Sequence, residues 1–144
     1  MTASITVYRT NDARTIELPH YRREDGEIVV AEGSSQVPFA IARMFTLRAP
    51  KGATRGQHAH RRCSLLLLCV NGAVDIVNDD SHDKSTFTLD RGNVGLLVPP
   101  TIWHSVIFRE TNSVLVVLCD RHFQEEDYIR KYPDFLVFRK AIGS

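Results

Sequence analysis

Residues 64–72 read SLLLLCVNG. Six consecutive apolar residues, from Leu65 to Val70, stop abruptly at Asn71-Gly72. That dipeptide favours a tight turn because both residues tolerate positive φ. The apolar run is short for a helix and far below the roughly 20 residues that cross a bilayer. It suits a β-strand buried on both faces. SVLVVLC (113–119) is a second run of the same kind. Around them, FAIARMFTLR (39–48) places Phe39, Ile41, Phe45 and Leu47 on one predicted face together with Arg43. STFTL (85–89), NVGLLVP (93–99) and WHSVIF (103–108) read as further strands. Turn residues at Asn71-Gly72, Asp79-Asp80, Asp90-Arg91-Gly92 and Pro99-Pro100 separate the strands. Many short strands with frequent turns indicate an all-β sandwich or closed barrel.

One helix is expected, over QEEDYIRKY (124–132). Its acidic start and basic end suit the helix dipole, and Pro133 limits its extension. Residues 1–26 are polar and are expected to form an early strand or arm. A free N-terminal strand invites pairing with a second subunit, so a homodimer is expected.

The 144 residues suffice for one domain (1–144) with a hydrophobic core of its own. Hydrophobic residues make up 43% and charged residues 24%, a globular rather than a disordered composition. The net charge of +1 gives no electrostatic reason to expect nucleic acid or a membrane surface as partner. An anionic ligand would need a local cluster, which Arg43, Arg48, Lys51, Arg55, Arg61 and Arg62 supply. The three cysteines, Cys63, Cys69 and Cys119, form no CxxC pair. They imply neither a disulfide framework nor a thiolate metal site. The opening MTASITVYRT lacks the apolar segment of a signal peptide, and a cytoplasmic location is expected.

Chemistry concentrates in TRGQHAHRR (54–62). In a strand, residues i and i+2 face the same way, so His58 and His60 project together. His104, on a separate predicted strand, can join them inside a jelly-roll barrel. HxH followed by a later histidine is also the metal-ligand pattern of many cupins, and three histidines can hold zinc. Those cupins usually add a glutamate soon after the second histidine; here Arg61, Arg62, Cys63, Ser64 and Leu65 follow His60. Without metal, an imidazole with its ordinary pKa of about 6.5 can take and return a proton near neutrality. Arg43 and Arg55 are candidates to hold a phosphate or an enolate oxygen. Trp103 offers a flat apolar face to a sugar. His20, His82 and His122 lie in polar stretches and receive no role.

Five segments, VPFAIARMF, RGQHAHRR, CVNGAVDIVNDD, GNVGLLVPPTIWH and DYIRKYPDF, occur in this order across about residues 25–138. In sequence and order they resemble the sugar 3,4-ketoisomerase family, whose members act on thymidine-diphosphate-linked (dTDP-linked) 4-keto-6-deoxyglucose. The resemblance implies a cupin jelly roll, or double-stranded β-helix, with a short C-terminal helix. It also implies a homodimer, no required metal or other cofactor, and a product used to make amino deoxysugars. By position, the family's paired histidines fall on His58 and His60, and its motif arginines on Arg55 and Arg43. The WH pair falls on Trp103 and His104.

Two positions depart from the pattern: Phe45 stands where the family has tyrosine, and Leu65 where it has glutamine. The reaction implied takes the proton from C3 with His58 or His60, passes through an enediolate, and returns a proton at C4. Arg43, Arg55, Trp103 and His104 would bind the substrate. Three rival readings remain: a metal-dependent cupin using His58, His60 and His104, a non-catalytic sugar-nucleotide binder, and an epimerase.

Overall fold

The computed structural model describes residues 5–144. The strands are β1 (Arg14–Glu17), β2 (His20–Arg23), β3 (Gly26–Val29), β4 (Arg43–Arg48), β5 (Thr54–His60) and β6 (Leu65–Asn71). They continue as β7 (Val74–Asp79), β8 (Lys84–Leu89), β9 (Val94–Val98), β10 (Trp103–Phe108), β11 (Val114–Cys119) and β12 (Tyr128–Ile129). Helix α1 (Tyr132–Ala141) closes the chain. One five-stranded sheet has the order β1-β9-β6-β11-β4 and the other β12-β5-β10-β7-β8, while β2 and β3 form a separate hairpin.

The leucine run explains this layering. In β6, Leu65, Leu67 and Cys69 point into the cluster between the two sheets. They meet Val74, Ile76, Leu89, Val106 and Phe108 from the second sheet. Leu66 and Leu68 point the other way, under Leu18 and Val37. All four leucines are buried, each contributing roughly 1.5–3 kcal/mol. At Asn71-Gly72 the chain passes from the first sheet to the second instead of closing a hairpin. Gly72 sits at φ +77°, and a Cβ there would lie 2.2 Å from Ser113 Oγ, so no larger residue fits the corner.

Two expectations are corrected. The acidic segment is not a helix: Glu125–Asp127 form a 3-10 turn, and Tyr128–Ile129 pair with His60 and Ala59 of β5. The helix begins where the expected one ends, and Pro133 lies in its first turn. Proline is tolerated there because its missing N–H would have had no intrahelical partner. In 39–48, only Arg43 onward is strand. Phe39 packs on the outer face of the first sheet, against the cluster around Val37, whereas Phe45 and Leu47 pack on the inner cluster. Residues 40–42, which belong to no strand or helix, separate the two parts. The early strand is present as expected: β1 pairs with β9 at the edge of the first sheet. The first four residues lie outside the described residues.

α1 covers the outer face of the second sheet. Phe135 is fully buried against Ala59 and Ile129, with Trp103 and Tyr132 packed beside it. Among the described residues, no helix is long and apolar enough to cross a membrane.

Candidate active site

The barrel interior opens through a cavity of about 350 Å³ on which Arg43, Arg55, His58, His104, Tyr128 and Arg130 converge. Each arrives from a different constraint. Arg43 alternates inward with Phe45 and Leu47 along β4. His104 faces inward with Val106 along β10, and its Cα is the register partner of His58.

Arg55 and His58 raise a geometric problem, because residues three apart on a regular strand face opposite ways. A bulge resolves it. His104 pairs with His58, yet the next residue, Ser105, pairs with Gly56, so Gln57 is left without a partner. Gly56 has φ +84° and Gln57 φ +53°. The extra residue inverts the alternation and returns Arg55 to the face that carries His58.

The bulge also sets the protonation of His58. Its Nδ1 lies 2.9 Å from the Gly56 carbonyl oxygen. A carbonyl only accepts, so Nδ1 carries the hydrogen and Nε2 keeps its lone pair. Burial, reinforced by the nearby His60, pulls the His58 pKa down to about 4 against the opposing effect of the Gly56 hydrogen bond. The ring is therefore neutral and basic at Nε2 throughout the physiological range.

His60 stands behind His58, with ring centroids 5.0 Å apart in an edge-to-face arrangement. Its Nδ1 donates to Asp127 Oδ2 at 2.9 Å, and both side chains are only 6% exposed. The other carboxylate oxygen accepts the Arg62 amide at 2.7 Å. Burial pushes the Asp127 carboxyl upward, but these hydrogen bonds outweigh it and the net displacement is downward. His104 is buried too; loss of water, then the neighbouring His58 and His60, hold its pKa well below the ordinary value.

Tyr128 completes the constellation. Its ring lies 4.4 Å from His60 and 5.0 Å from His58 by centroid, and its hydroxyl accepts a hydrogen bond from Arg43 Nη1 at 3.1 Å. Arg130 stacks over the Tyr128 ring at 4.3 Å while its guanidinium grips Glu125 at 2.7 and 2.9 Å. Phe45 and Leu65 both stand in the cavity wall. Phe45 brings no hydroxyl to the cavity; that of Tyr128 faces it from another strand.

The expected site residues therefore divide. Arg43, Arg55, His58 and His104 line one cavity, and His60 backs it. Trp103 does not join them: it alternates with His104, points to the other face of β10, and packs against Tyr132 and Phe135 at 5.3 and 5.6 Å. Asp127 and Tyr128 were missed because the segment holding them reads as a helix. Their signal was the DYIR segment, whose carboxylate supplies from a distance the acid that does not follow His60.

Among the described residues, the cluster close enough to share an ion is His60, Cys63 and Asp127. It suits a metal poorly. His60 and Asp127 are joined by their own hydrogen bond, and interaction with Cys119 together with burial holds the Cys63 thiol far up in its protonated form.

The fold and cavity define the class: a cupin-type barrel whose interior cavity gathers imidazoles, one of them backed by a carboxylate. The chain belongs to the WxcM-like, C-terminal family, whose model matches residues 11–140. It is 36% identical over 111 residues to the TDP-4-oxo-6-deoxy-alpha-D-glucose-3,4-oxoisomerase of Aneurinibacillus thermoaerophilus, covering 76% of this chain and 80% of that one. It also resembles the 3,4-ketoisomerase QdtA of Thermoanaerobacterium thermosaccharolyticum, solved as a histidine-to-asparagine mutant in complex with TDP-4-keto-6-deoxyglucose. That likeness has 27% identity and a TM-score of 0.88 over 92% of this chain and 97% of the other. A 3,4-ketoisomerase from Helicobacter canadensis matches at 26% identity and a TM-score of 0.85, over 90% and 98%. The 3'-monoepimerase ChmJ of Streptomyces bikiniensis, 19% identical with a TM-score of 0.74 over 85% of this chain and 72% of its own, shares the fold.

Proposed function

We propose that this protein is a sugar-nucleotide 3,4-ketoisomerase acting on TDP-4-keto-6-deoxyglucose or a close relative. The observation that carries the reading is the unprotonated Nε2 of His58 in a cavity shared with three arginines, Arg43, Arg55 and Arg130. The 4-keto group acidifies the C3 hydrogen, and His58 removes it. The electrons flow to O4, giving an enediolate whose charge Arg43 and Arg55 stabilise. Return of a proton at C4, with transfer of the O3 proton to O4, leaves the ketone at C3 and a hydroxyl at C4. The atoms balance without oxidant or reductant, and the reaction assigned here uses no metal. Asp127 holds His60 in one tautomer behind His58, which makes Asp127 a positioning residue. The complexes of the related QdtA with TDP and with TDP-4-keto-6-deoxyglucose support TDP as the nucleotide.

The protein acts as a homodimer in the cytoplasm in this reading. Tyr21 and Ile28, register partners on the β2–β3 hairpin, are each 62% exposed and offer an apolar contact to a second copy. The three free cysteines fit a reducing compartment. The test is incubation with TDP-4-keto-6-deoxyglucose in deuterated water, followed by NMR of the product. The ketone should appear at C3 with deuterium at C4. Deuterium exchange with the ketone still at C4 would indicate an epimerase instead. Inertness combined with tight binding would indicate a non-catalytic binder. Turnover that vanishes after exhaustive chelation and returns with zinc would overturn the metal-independent chemistry.

A further inference from the structure

Behind His104 lies a row of polar groups that the reaction above does not use. The register runs straight across three strand pairs: His58 opposite His104, His104 opposite Asn78, and Asn78 opposite Ser85. Directly opposed residues on neighbouring strands share a face, with Cβ atoms roughly 4.5–5.5 Å apart. That face is the barrel interior, because Val74 and Ile76 alternate with Asn78 in the inner cluster and Phe87 follows Ser85 onto it.

Asn78 has 0% exposure, yet neither its Nδ2 nor its Oδ1 has a protein partner. The same holds for Ser85 Oγ and for Nδ1 of His104, which is 3% exposed. The Ile102 carbonyl lies close enough to the His104 ring to favour a proton on it, but the contact falls short of hydrogen-bond geometry at Nδ1. Buried polar atoms are almost always paired, with protein or with ordered water. Four unpaired atoms on three consecutive cross-strand neighbours therefore mark one hydrated site. An amide, a hydroxyl and an imidazole nitrogen together give water the two to four partners it needs.

We propose that Asn78 and Ser85 bind water against Nδ1 of His104, fixing the tautomer and orientation of that ring as it faces the cavity. Water is the ligand, and Asn78 is the positioning residue. The asparagine amide can offer either a donor or an acceptor, but once Ser85 and the water have taken their partners only one arrangement remains. His104 then presents a defined edge to the substrate oxygens. The catalytic part of this inference rests on the ketoisomerase reading; the hydration and tautomer part does not.

The test uses the whole protein labelled with 15N, with His104 signals assigned in long-range proton–nitrogen correlation spectra. Wild type should show His104 as a single neutral tautomer. Asn78→Leu, which keeps the bulk and removes both polar atoms, should shift its Nδ1 signal or mix the tautomers while the other histidines stay in place. The same variant should lower kcat roughly fivefold to tenfold, the rate equivalent of one neutral hydrogen bond, with KM unchanged. Asn78→Ser, which restores a hydroxyl and leaves room for a further water, should recover most of the loss. Unchanged His104 nitrogen signals in a folded Asn78→Leu would overturn the proposal. Should that variant fail to fold, Ser85→Ala decides in its place, and an unperturbed His104 there would be equally damaging. A wild-type protein inert towards the sugar nucleotide would remove the substrate reading alone, since the nitrogen signals still report on the row.

Discussion

Acid titration offers the sharpest check on the state assigned to His58. An unfolded chain protonates this ring as pH falls through 6.5, whereas the native ring resists until about pH 4. Between those values the unfolded state binds more protons, so stability is complete above about pH 6.5 and drains away as pH falls towards 4. The gap from 6.5 to about 4, at about 1.4 kcal/mol per pH unit, comes to about 3 kcal/mol. His104 is displaced in the same direction and steepens the decline in the same window. Urea unfolding at a series of pH values, on wild type and on His58→Gln, isolates the first ring. Wild type should lose about 3 kcal/mol more than the variant between neutral and strongly acidic pH. Activity supplies an independent reading. At pH 5 a ring with its pKa near 4 is still about nine-tenths neutral, whereas one near 6.5 would be only a few per cent so. The acid limb of kcat/KM should accordingly fall near pH 4. Parallel stability slopes in the two proteins, or an acid limb centred near 6.5, would show that the ring is solvated and not buried.

Two further outcomes are expected. Asp127→Asn leaves one oxygen to serve both the His60 ring and the Arg62 amide, so one donor must face the new NH₂ group. It should cost about 2–3 kcal/mol in urea unfolding and lower turnover by about 10²-fold or more; wild-type turnover in a folded variant would remove Asp127 from the mechanism. Gly56→Ala forces a side chain to φ +84° with its Cβ 3.3 Å from the His104 carbonyl oxygen. It should destabilise by about 1–3 kcal/mol, measured by thermal unfolding, and disturb the registry of His58 with His104.

Strands were legible in the sequence because alternation and two-faced burial follow directly from the pleat. Leu65 to Cys69 read correctly as a strand packed on both sides, because the run is too short for a helix, while Val70 at its end is 51% exposed. The paired imidazoles were legible for the same reason. Asp127 and Tyr128 were hidden because their local composition favours a helix, while pairing with β5 and packing under Phe135 overrule that preference. Trp103 was assigned to the ligand on its chemistry, but parity along β10 sends it outward once His104 faces inward. The buried row through Asn78 depends on strand register across three pairings, which no single segment reveals.

The unpaired Gln57 has a consequence for anyone altering this barrel. The cation at Arg55 and the base at His58 meet only because an odd count of backbone units separates them and one unit is looped out. Chain length between the two positions, more than the chemistry of the residue occupying it, is thus the setting that brings them face to face. Excising Gln57 would leave the two positions two apart on a regular strand and still on one face, whereas inserting one more paired residue between them would turn the guanidinium outward while both imidazoles kept their places, disarming the pocket without touching any group inside it.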